Sequence, residues 1–152
     1  FLVILLMFVG GSPGSTAGGI KTTTFGSLVL TTISVIKGDK DVVAFKKKIS
    51  YDVINKSIAI IMIGLILVGL VSFTLTVTEE AGFLDILFET TSAFATVGLT
   101  TGVTPNLTNF GKFIITLTMY AGRVGPLTLA YAFSRQRRHP NIKYSEGNII
   151  VG

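Results

Sequence analysis

Residues 95–102 read Ala-Thr-Val-Gly-Leu-Thr-Thr-Gly, and this segment is well suited to binding an ion. The central glycine permits backbone angles that can aim neighbouring carbonyl oxygens at one axis. Potassium filters are built in this way, because backbone carbonyls replace the hydration water of the ion. We therefore predict an ion filter at Thr96, Val97, Gly98 and Leu99, with potassium held by the carbonyls of the first three. An ordinary extracellular loop is the alternative.

The residues before this segment could position it. Phe83–Phe94 predicts a helix of about 12 residues, which is too short to cross a bilayer. Such a helix would point its partly negative C-terminal end toward the cation. Glu89 lies on this helix, and it either pairs behind the filter or is simply a solvated or packing charge.

A second unusual segment interrupts the apolar stretch between Phe1 and Ile36. After Val9 come ten residues that include five glycines and one proline, so the helix should unwind there. Non-helical backbone at membrane depth is tolerated only where it is buried in protein or lines a water-filled path. The segment therefore predicts a loop that lies across a transport route and gates it, formed by Gly10, Gly11, Ser12, Pro13, Gly14, Ser15, Thr16, Ala17, Gly18 and Gly19.

A glycine-rich loop before Lys-Thr also resembles a phosphate-binding loop. That motif requires Gly-Lys-Ser/Thr, whereas Ile20 separates Gly19 from Lys21 in this chain. The later apolar run 58–71 contains no aspartate that could hold magnesium. Nucleotide binding by this loop is therefore disfavoured, and Lys21 is left either to extend toward water or to pair.

Arg123 is a charge in the middle of the apolar segment Phe113–Ser134. Such a charge costs at least about 2.5–3.5 kcal/mol in a membrane, so it should face protein and have partners. Carbonyls of the loop 10–19, or carboxylates outside this chain, are the candidates. Arg123 is then either a structural tie between helices or part of the gate, and Pro126 should kink its helix.

The sequence contains no arrangement typical of an enzyme. The 152 residues include no cysteine and one histidine, His139, and no cluster has metal-ligand spacing or forms a Ser/His/Asp set. We therefore predict no enzymatic activity, and no cofactor in this chain other than the transported ion.

The composition indicates that these residues lie in a membrane. Charged residues make up 14% of the chain against about 25% in soluble domains, and the mean hydropathy is +0.68. Ser57–Val77 is uncharged and long enough to span the bilayer, and Phe113–Ser134 predicts a second span.

The charges predict the topology. Lysines and arginines concentrate in cytoplasmic loops, which places Lys37–Lys56 and the tail 135–152 inside and the acidic segment Thr78–Gly111 outside. The basic residues are thus read as orientation signals, and binding of nucleic acid is disfavoured.

These elements predict an all-α membrane protein. Residues 51–134 form a helix–pore-loop–helix repeat, preceded by the broken transmembrane helix 1–36 and the cytoplasmic basic loop 37–50, and followed by the cytoplasmic tail 135–152. The chain opens inside an apolar run without an initiating methionine, so we expect it to be the C-terminal piece of a longer protein.

Three stretches together resemble the membrane subunits of the Trk/Ktr/HKT potassium transporters, especially the bacterial Ktr type. They are Gly-Gly-Ser-Pro-Gly-Ser-Thr-Ala-Gly-Gly-Ile-Lys-Thr-Thr-Thr at 10–24, the filter segment at 95–102, and Met-Tyr-Ala-Gly-Arg-Val-Gly-Pro at 119–126. The resemblance implies four such repeats around one pore, with Gly98 as the fourth filter glycine, a gate loop at 10–19, and Arg123 in contact with that loop.

The resemblance also implies partners and a function. The subunit would take up potassium across the cell membrane, form a homodimer, and sit on a cytoplasmic ring that binds nucleotide. Lys37–Lys48 and Arg135–Gly152 are the surfaces that could meet the ring or the second subunit. Sodium dependence stays open, and a carrier that moves another solute through the broken helix is the main alternative function. A non-transporting membrane scaffold and a soluble nucleotide-binding protein are further alternatives.

Overall fold

The computed structural model describes residues 1–39, 41–125 and 128. The described part of the chain is mostly helical, as the sequence predicted, and its elements follow in this order: α1 (Leu2–Phe8), α2 (Thr22–Lys37), β1 (Val43–Ala44), β2 (Lys47–Lys48), α3 (Tyr51–Thr78), α4 (Phe83–Ala95), a 3-10 turn (Thr104–Asn106) and α5 (Asn109–Val124).

Helix α3 is the long apolar element. Its 28 residues correspond to about 42 Å, which exceeds the hydrocarbon core of a bilayer. The Ser50 hydroxyl caps its first turn by accepting the Val53 N–H, and Asp52 in that turn suits the positive end of the helix dipole. Among the described helices, α3 is the one that is long and apolar enough to cross a membrane. It contains the predicted span Ser57–Val77.

The predicted break between α1 and α2 is present. Residues 10–19 form turns and irregular backbone; α1 ends before them at Phe8, and α2 begins after them at Thr22. The two ends of the break are paired, because the Gly10 N–H donates to the Ile20 carbonyl over 2.7 Å. The loop is therefore closed at its base, where the end of α1 and the start of α2 lie close together.

Helix α4 lies at the centre of the fold and packs against α1, α3 and α5. Phe94 near its C-terminal end is fully buried, in a cluster with Ile20 and Val68, and its ring stacks on Phe8 with 5.8 Å between centroids. A second cluster packs α4 against α3 and α5 and consists of Leu75, Ile86, Ala93, Leu107 and Ile115. This packing holds the C-terminal end of α4 in place from three sides.

Helix α5 begins earlier than the predicted span. Thr108 caps it by accepting the Gly111 N–H, so the helix starts at Asn109 rather than near Phe113. The expected kink at Pro126, the rest of the span to Ser134, His139 and the tail 135–152 lie outside the described residues.

The predicted basic loop 37–50 contains a short hairpin that the sequence reading did not anticipate. Phe45 and Lys46 connect its strands with φ angles of 49° and 64°, as two-residue hairpin turns require. Lys48 pairs with Asp41 over 2.5 Å, and this hydrogen bond raises the pKa of Lys48. The segment predicted as a plain loop therefore contains a hairpin with strands of two residues each. All other regular elements in the described part of the chain are helical.

Candidate functional site

The N-terminal end of the predicted filter is fixed by the cap that ends α4. Thr96 donates its N–H to the Ala93 carbonyl over 3.1 Å, and Val97 donates to Ser92 over 3.0 Å, which closes a Schellman-type cap. Glycine usually occupies the left-handed position of this cap, but here it is Thr96, with φ of 54°. A β-branched residue is strained in that conformation, so other contacts must hold it.

The gate loop provides one such contact. The Gly18 N–H donates to the Thr96 hydroxyl over 2.8 Å, so the predicted loop touches the first residue of the predicted filter. The close approach requires a glycine, since a Cβ on Gly18 would lie 2.8 Å from the Thr96 methyl carbon and 3.1 Å from the Phe94 carbonyl oxygen. The structure thereby brings these two segments together, although 78 residues separate Gly18 from Thr96 in the sequence.

The filter segment itself offers free carbonyl groups. Residues 97–99 have no regular secondary structure, and Gly98 has φ of +81°. The carbonyl oxygens of Thr96, Val97, Gly98 and Leu99 accept no hydrogen bond from any residue that the structure describes. Unpaired carbonyls on a positioned, irregular backbone are the groups that can replace water around a cation.

The C-terminal end of the segment is held by Glu89, which is buried with 5% of its surface exposed. Its carboxylate accepts the Thr101 N–H over 3.0 Å, the Thr104 hydroxyl over 2.6 Å, and the hydroxyl of Thr100. The sequence left open whether Glu89 pairs behind the filter or is a solvated or packing charge. The structure shows it buried and paired with residues that directly follow the predicted filter, so it is not a solvated charge.

Two cationic side chains donate hydrogen bonds to backbone carbonyls of the loop 10–19. Arg123, in the last turn of α5, donates to the Thr16 carbonyl, which is one of the two kinds of partner that the sequence left open. Among the described residues its side chain is exposed, whereas the sequence predicted that it faces protein. Lys21 donates to the Ala17 carbonyl over 2.6 Å and the Ser15 carbonyl over 3.4 Å. The loop therefore contacts α4, α5 and the start of α2 at once.

Lys21 was not among the predicted gate residues. Its position directly after a loop rich in unpaired carbonyls was the available signal, since a lysine there can turn back onto the loop. The sequence did not decide whether the Lys21 side chain pairs with the loop or extends toward water.

Helices α4 and α5 approach each other through Gly122. A Cβ at this position would lie 1.8 Å from the Phe94 carbonyl oxygen. Small residues allow helix backbones to come this close in membranes. The contact places Arg123, the next residue, beside the end of α4 and the gate loop.

We expect Gly122→Ala to destabilise the protein. The obstacle is backbone rather than a flexible side chain, so the two helices must separate, at about 3 kcal/mol, the upper end of ordinary overpacking. Thermal unfolding of the detergent-solubilised protein should show the loss. Gly69→Ala is the matched control, because a Cβ on this glycine of α3 meets no described residue within 4 Å. Equal melting temperatures for the two variants would contradict the close contact.

The described residues contain no group of three or more His, Cys, Asp or Glu that could hold a metal ion. The chemistry they offer is instead that of backbone carbonyls, small residues and a cationic clamp. Together with helix α3, which is long and apolar enough to cross a membrane, this combination is typical of one class, the membrane proteins.

Comparison with known proteins agrees with this class and makes it more specific. Residues 1–145 match the TrkH family, which is described as a cation transport protein. The chain is 46% identical to Ktr system potassium uptake protein B of Bacillus subtilis over 149 residues, 98% of the chain and 33% of that protein. It is 42% identical to the protein of the same name from Vibrio alginolyticus, over 99% of the chain and 33% of that protein.

A further relative is the potassium/sodium uptake protein NtpJ of Enterococcus hirae, 39% identical over 99% of the chain and 35% of that protein. The chain belongs to the TrkH cation transport family. It spans about one third of the length of these curated relatives. Family membership and helix α3 together make it a membrane protein, and the relatives named here are transport proteins.

Proposed function

We propose that this chain forms part of the pore of a potassium-uptake transporter. The observation that carries the proposal is the set of free carbonyls at Thr96–Leu99, which is anchored at both ends while the carbonyls themselves have no partner among the described residues. In this proposal, α3, α4, the filter segment and α5 form one helix–pore-loop–helix repeat, and α1, the loop 10–19 and α2 form the broken helix before it. Potassium passes by exchanging hydration water for the carbonyls of Thr96, Val97 and Gly98.

The gate in this proposal is the loop 10–19 with Arg123. The loop contacts the inner end of the filter through Gly18, and Arg123 holds it at the Thr16 carbonyl. A fixed positive charge at this position also opposes the passage of a cation. Opening requires the loop to move away from Thr96 and from Arg123, so this hydrogen bond and this ion–dipole contact favour the closed state.

The surroundings of the pore are part of the same proposal. The hairpin loop 37–50 and the tail lie in the cytoplasm, and the segment 78–111 lies outside. The full protein forms a homodimer and works with a cytoplasmic subunit ring that binds nucleotide. Relatives named for a Ktr system support a multicomponent transporter.

The transported ion is tested with the full-length protein. Expressed in a bacterium that lacks its own potassium-uptake systems, it should restore growth at low potassium and take up rubidium or potassium tracer. Uptake should saturate with potassium, and sodium should be added separately because one relative is named for both ions. Transport of an organic solute without any dependence on potassium would contradict the proposal and favour a carrier.

A further inference from the structure

Glu89 occupies an unusual position for a carboxylate in an apolar protein. It lies in the middle of α4, is almost fully buried, and uses both oxygens as acceptors. The hydroxyl of Thr100 that donates to it also accepts the Gly102 N–H over 2.9 Å and lies 3.0 Å from the Thr104 hydroxyl. These hydrogen bonds connect one carboxylate to a continuous stretch of backbone directly after the filter segment.

The distance from Glu89 to Thr96 along α4 is similar to the length of the extended segment from Thr96 to Thr100. Glu89 is seven residues before Thr96 in the sequence, or about 10 Å along a helix. The four residue steps from Thr96 to Thr100 span about 13 Å when extended. The filter segment therefore runs back beside the last two turns of α4, with its inner end fixed by the helix cap and its outer end fixed by Glu89.

We propose that Glu89 is a positioning residue for ion selection, and that its hold on Thr100, Thr101 and Thr104 keeps the filter carbonyls at the spacing that favours potassium over sodium. The proposal rests on the function proposed above. Without the anchor, the three residues between Thr96 and Thr100 are fixed at one end only, and the loosened carbonyls can close around the smaller ion. The carboxylate also places a negative charge beside the outer end of the ion path.

A purely structural role is the competing explanation, and the chain offers a matched residue for it. Glu79 is also buried, at 8% exposure, and accepts both the N–H and the hydroxyl of Thr108, over 2.8 Å and 2.5 Å. Its bonds join the end of α3 to the start of α5 and include no residue of the filter segment. Removing Glu79 should therefore disturb packing without moving the filter.

The test compares variants in the full-length transporter. Glu89→Ala removes the anchor, and Glu89→Gln keeps one acceptor oxygen for the Thr101 N–H but removes the charge. Glu79→Ala is the control. The measured quantity is the ratio of kcat/KM for potassium to kcat/KM for sodium, normalised to the amount of protein in the membrane, with thermal stability measured alongside.

We expect Glu89→Ala to lower the selectivity ratio about tenfold, the effect of losing a hydrogen-bonded charged group, and Glu89→Gln to lower it by a smaller factor. Glu79→Ala should lose thermal stability and keep the ratio within about twofold. If Glu89→Ala does not reach the membrane, Glu89→Gln and Thr104→Val test the proposal instead, because Thr104→Val removes a hydroxyl that donates to Glu89. An unchanged ratio of potassium to sodium kcat/KM in both variants overturns the proposal.

The result for Gly98→Ser separates two failures. If that variant loses selectivity while the Glu89 variants keep it, the positioning role is wrong and the filter stands. If Gly98→Ser and the Glu89 variants all keep full selectivity, the filter assignment itself is wrong.

Discussion

Replacing Gly98 with Ser in the full-length transporter is expected to lower its discrimination between potassium and sodium by about tenfold or more. Gly98 has φ of +81°, a region that costs an L-residue about 1–2 kcal/mol. A Cβ there meets nothing within 4 Å among the described residues, so the variant is not expected to clash. The backbone can relieve the strain by rotating, and that rotation moves the adjacent carbonyls away from the ion path.

The measurement is competition of sodium with potassium-dependent tracer uptake, normalised to the amount of transporter in the membrane. A difference of about 1.4 kcal/mol in ion binding corresponds to the tenfold change. Gly38→Ser is the matched control, because Gly38 also has a positive φ of 74° and an open Cβ direction but ends α2, in the segment we assign to the cytoplasm. It introduces comparable strain far from the filter.

Two results would contradict the filter assignment. One is unchanged selectivity in Gly98→Ser at normal expression. The other is an equal loss in Gly38→Ser, which would show that strain anywhere in the chain has this effect and that the carbonyls beside Gly98 have no particular role.

The helices could be predicted from the sequence because their signals are local. An uncharged run predicted α3, a cluster of glycines and proline predicted the break before α2, and a short segment between turns predicted α4 to within one residue of its observed end. Composition and propensity act over a few neighbouring residues, so these features need no tertiary information. The start of α5 was predicted less well, since the Thr108 cap is a weaker signal than hydrophobicity.

The contacts of the site depend on tertiary structure and could be predicted only in part. Arg123 was expected near the loop carbonyls because a charge in an apolar helix needs partners. No sequence rule, however, pairs Gly18 with Thr96 or decides that Glu89 faces Thr101 rather than water. The left-handed conformation of Thr96 could not be predicted either, because a threonine in that conformation depends on a contact from a remote segment.

Shortening the gate loop is expected to raise potassium flux about tenfold or more. The loop is held in place by the Gly18–Thr96 hydrogen bond and by Arg123 and Lys21, and in the proposed gate these contacts favour the closed state. Each hydrogen bond to a charged group contributes about 1.5–3 kcal/mol. Removing the residues that Arg123 and Lys21 hold takes most of this stabilisation away from the closed state. If closure limits transport, the rate of uptake rises accordingly.

The structure suggests which residues to delete. The base of the loop is closed by the Gly10–Ile20 hydrogen bond, and a Cβ on Gly11 would lie 2.8 Å from that of Ala17, so the two sides of the loop are already adjacent. Deleting residues 12–17 joins Gly11 to Gly18 without pulling α1 and α2 apart. The filter is untouched, and selectivity between potassium and sodium should therefore be kept while the maximal rate of uptake rises.

A single substitution tests the same gate without shortening the chain. Arg123→Gln removes the charge that holds Thr16 and should raise flux by a smaller factor than the deletion. Lys112→Gln is its control, since Lys112 is another cation of α5 that donates to a backbone carbonyl, that of Pro105 over 3.1 Å, but at the opposite end of the helix. Flux that stays the same or falls in both the deletion and Arg123→Gln, at normal amounts of protein, would show that the loop supports the pore instead of closing it. A rise in the deletion alone would assign closure to the loop and leave Arg123 as a structural tie between helices.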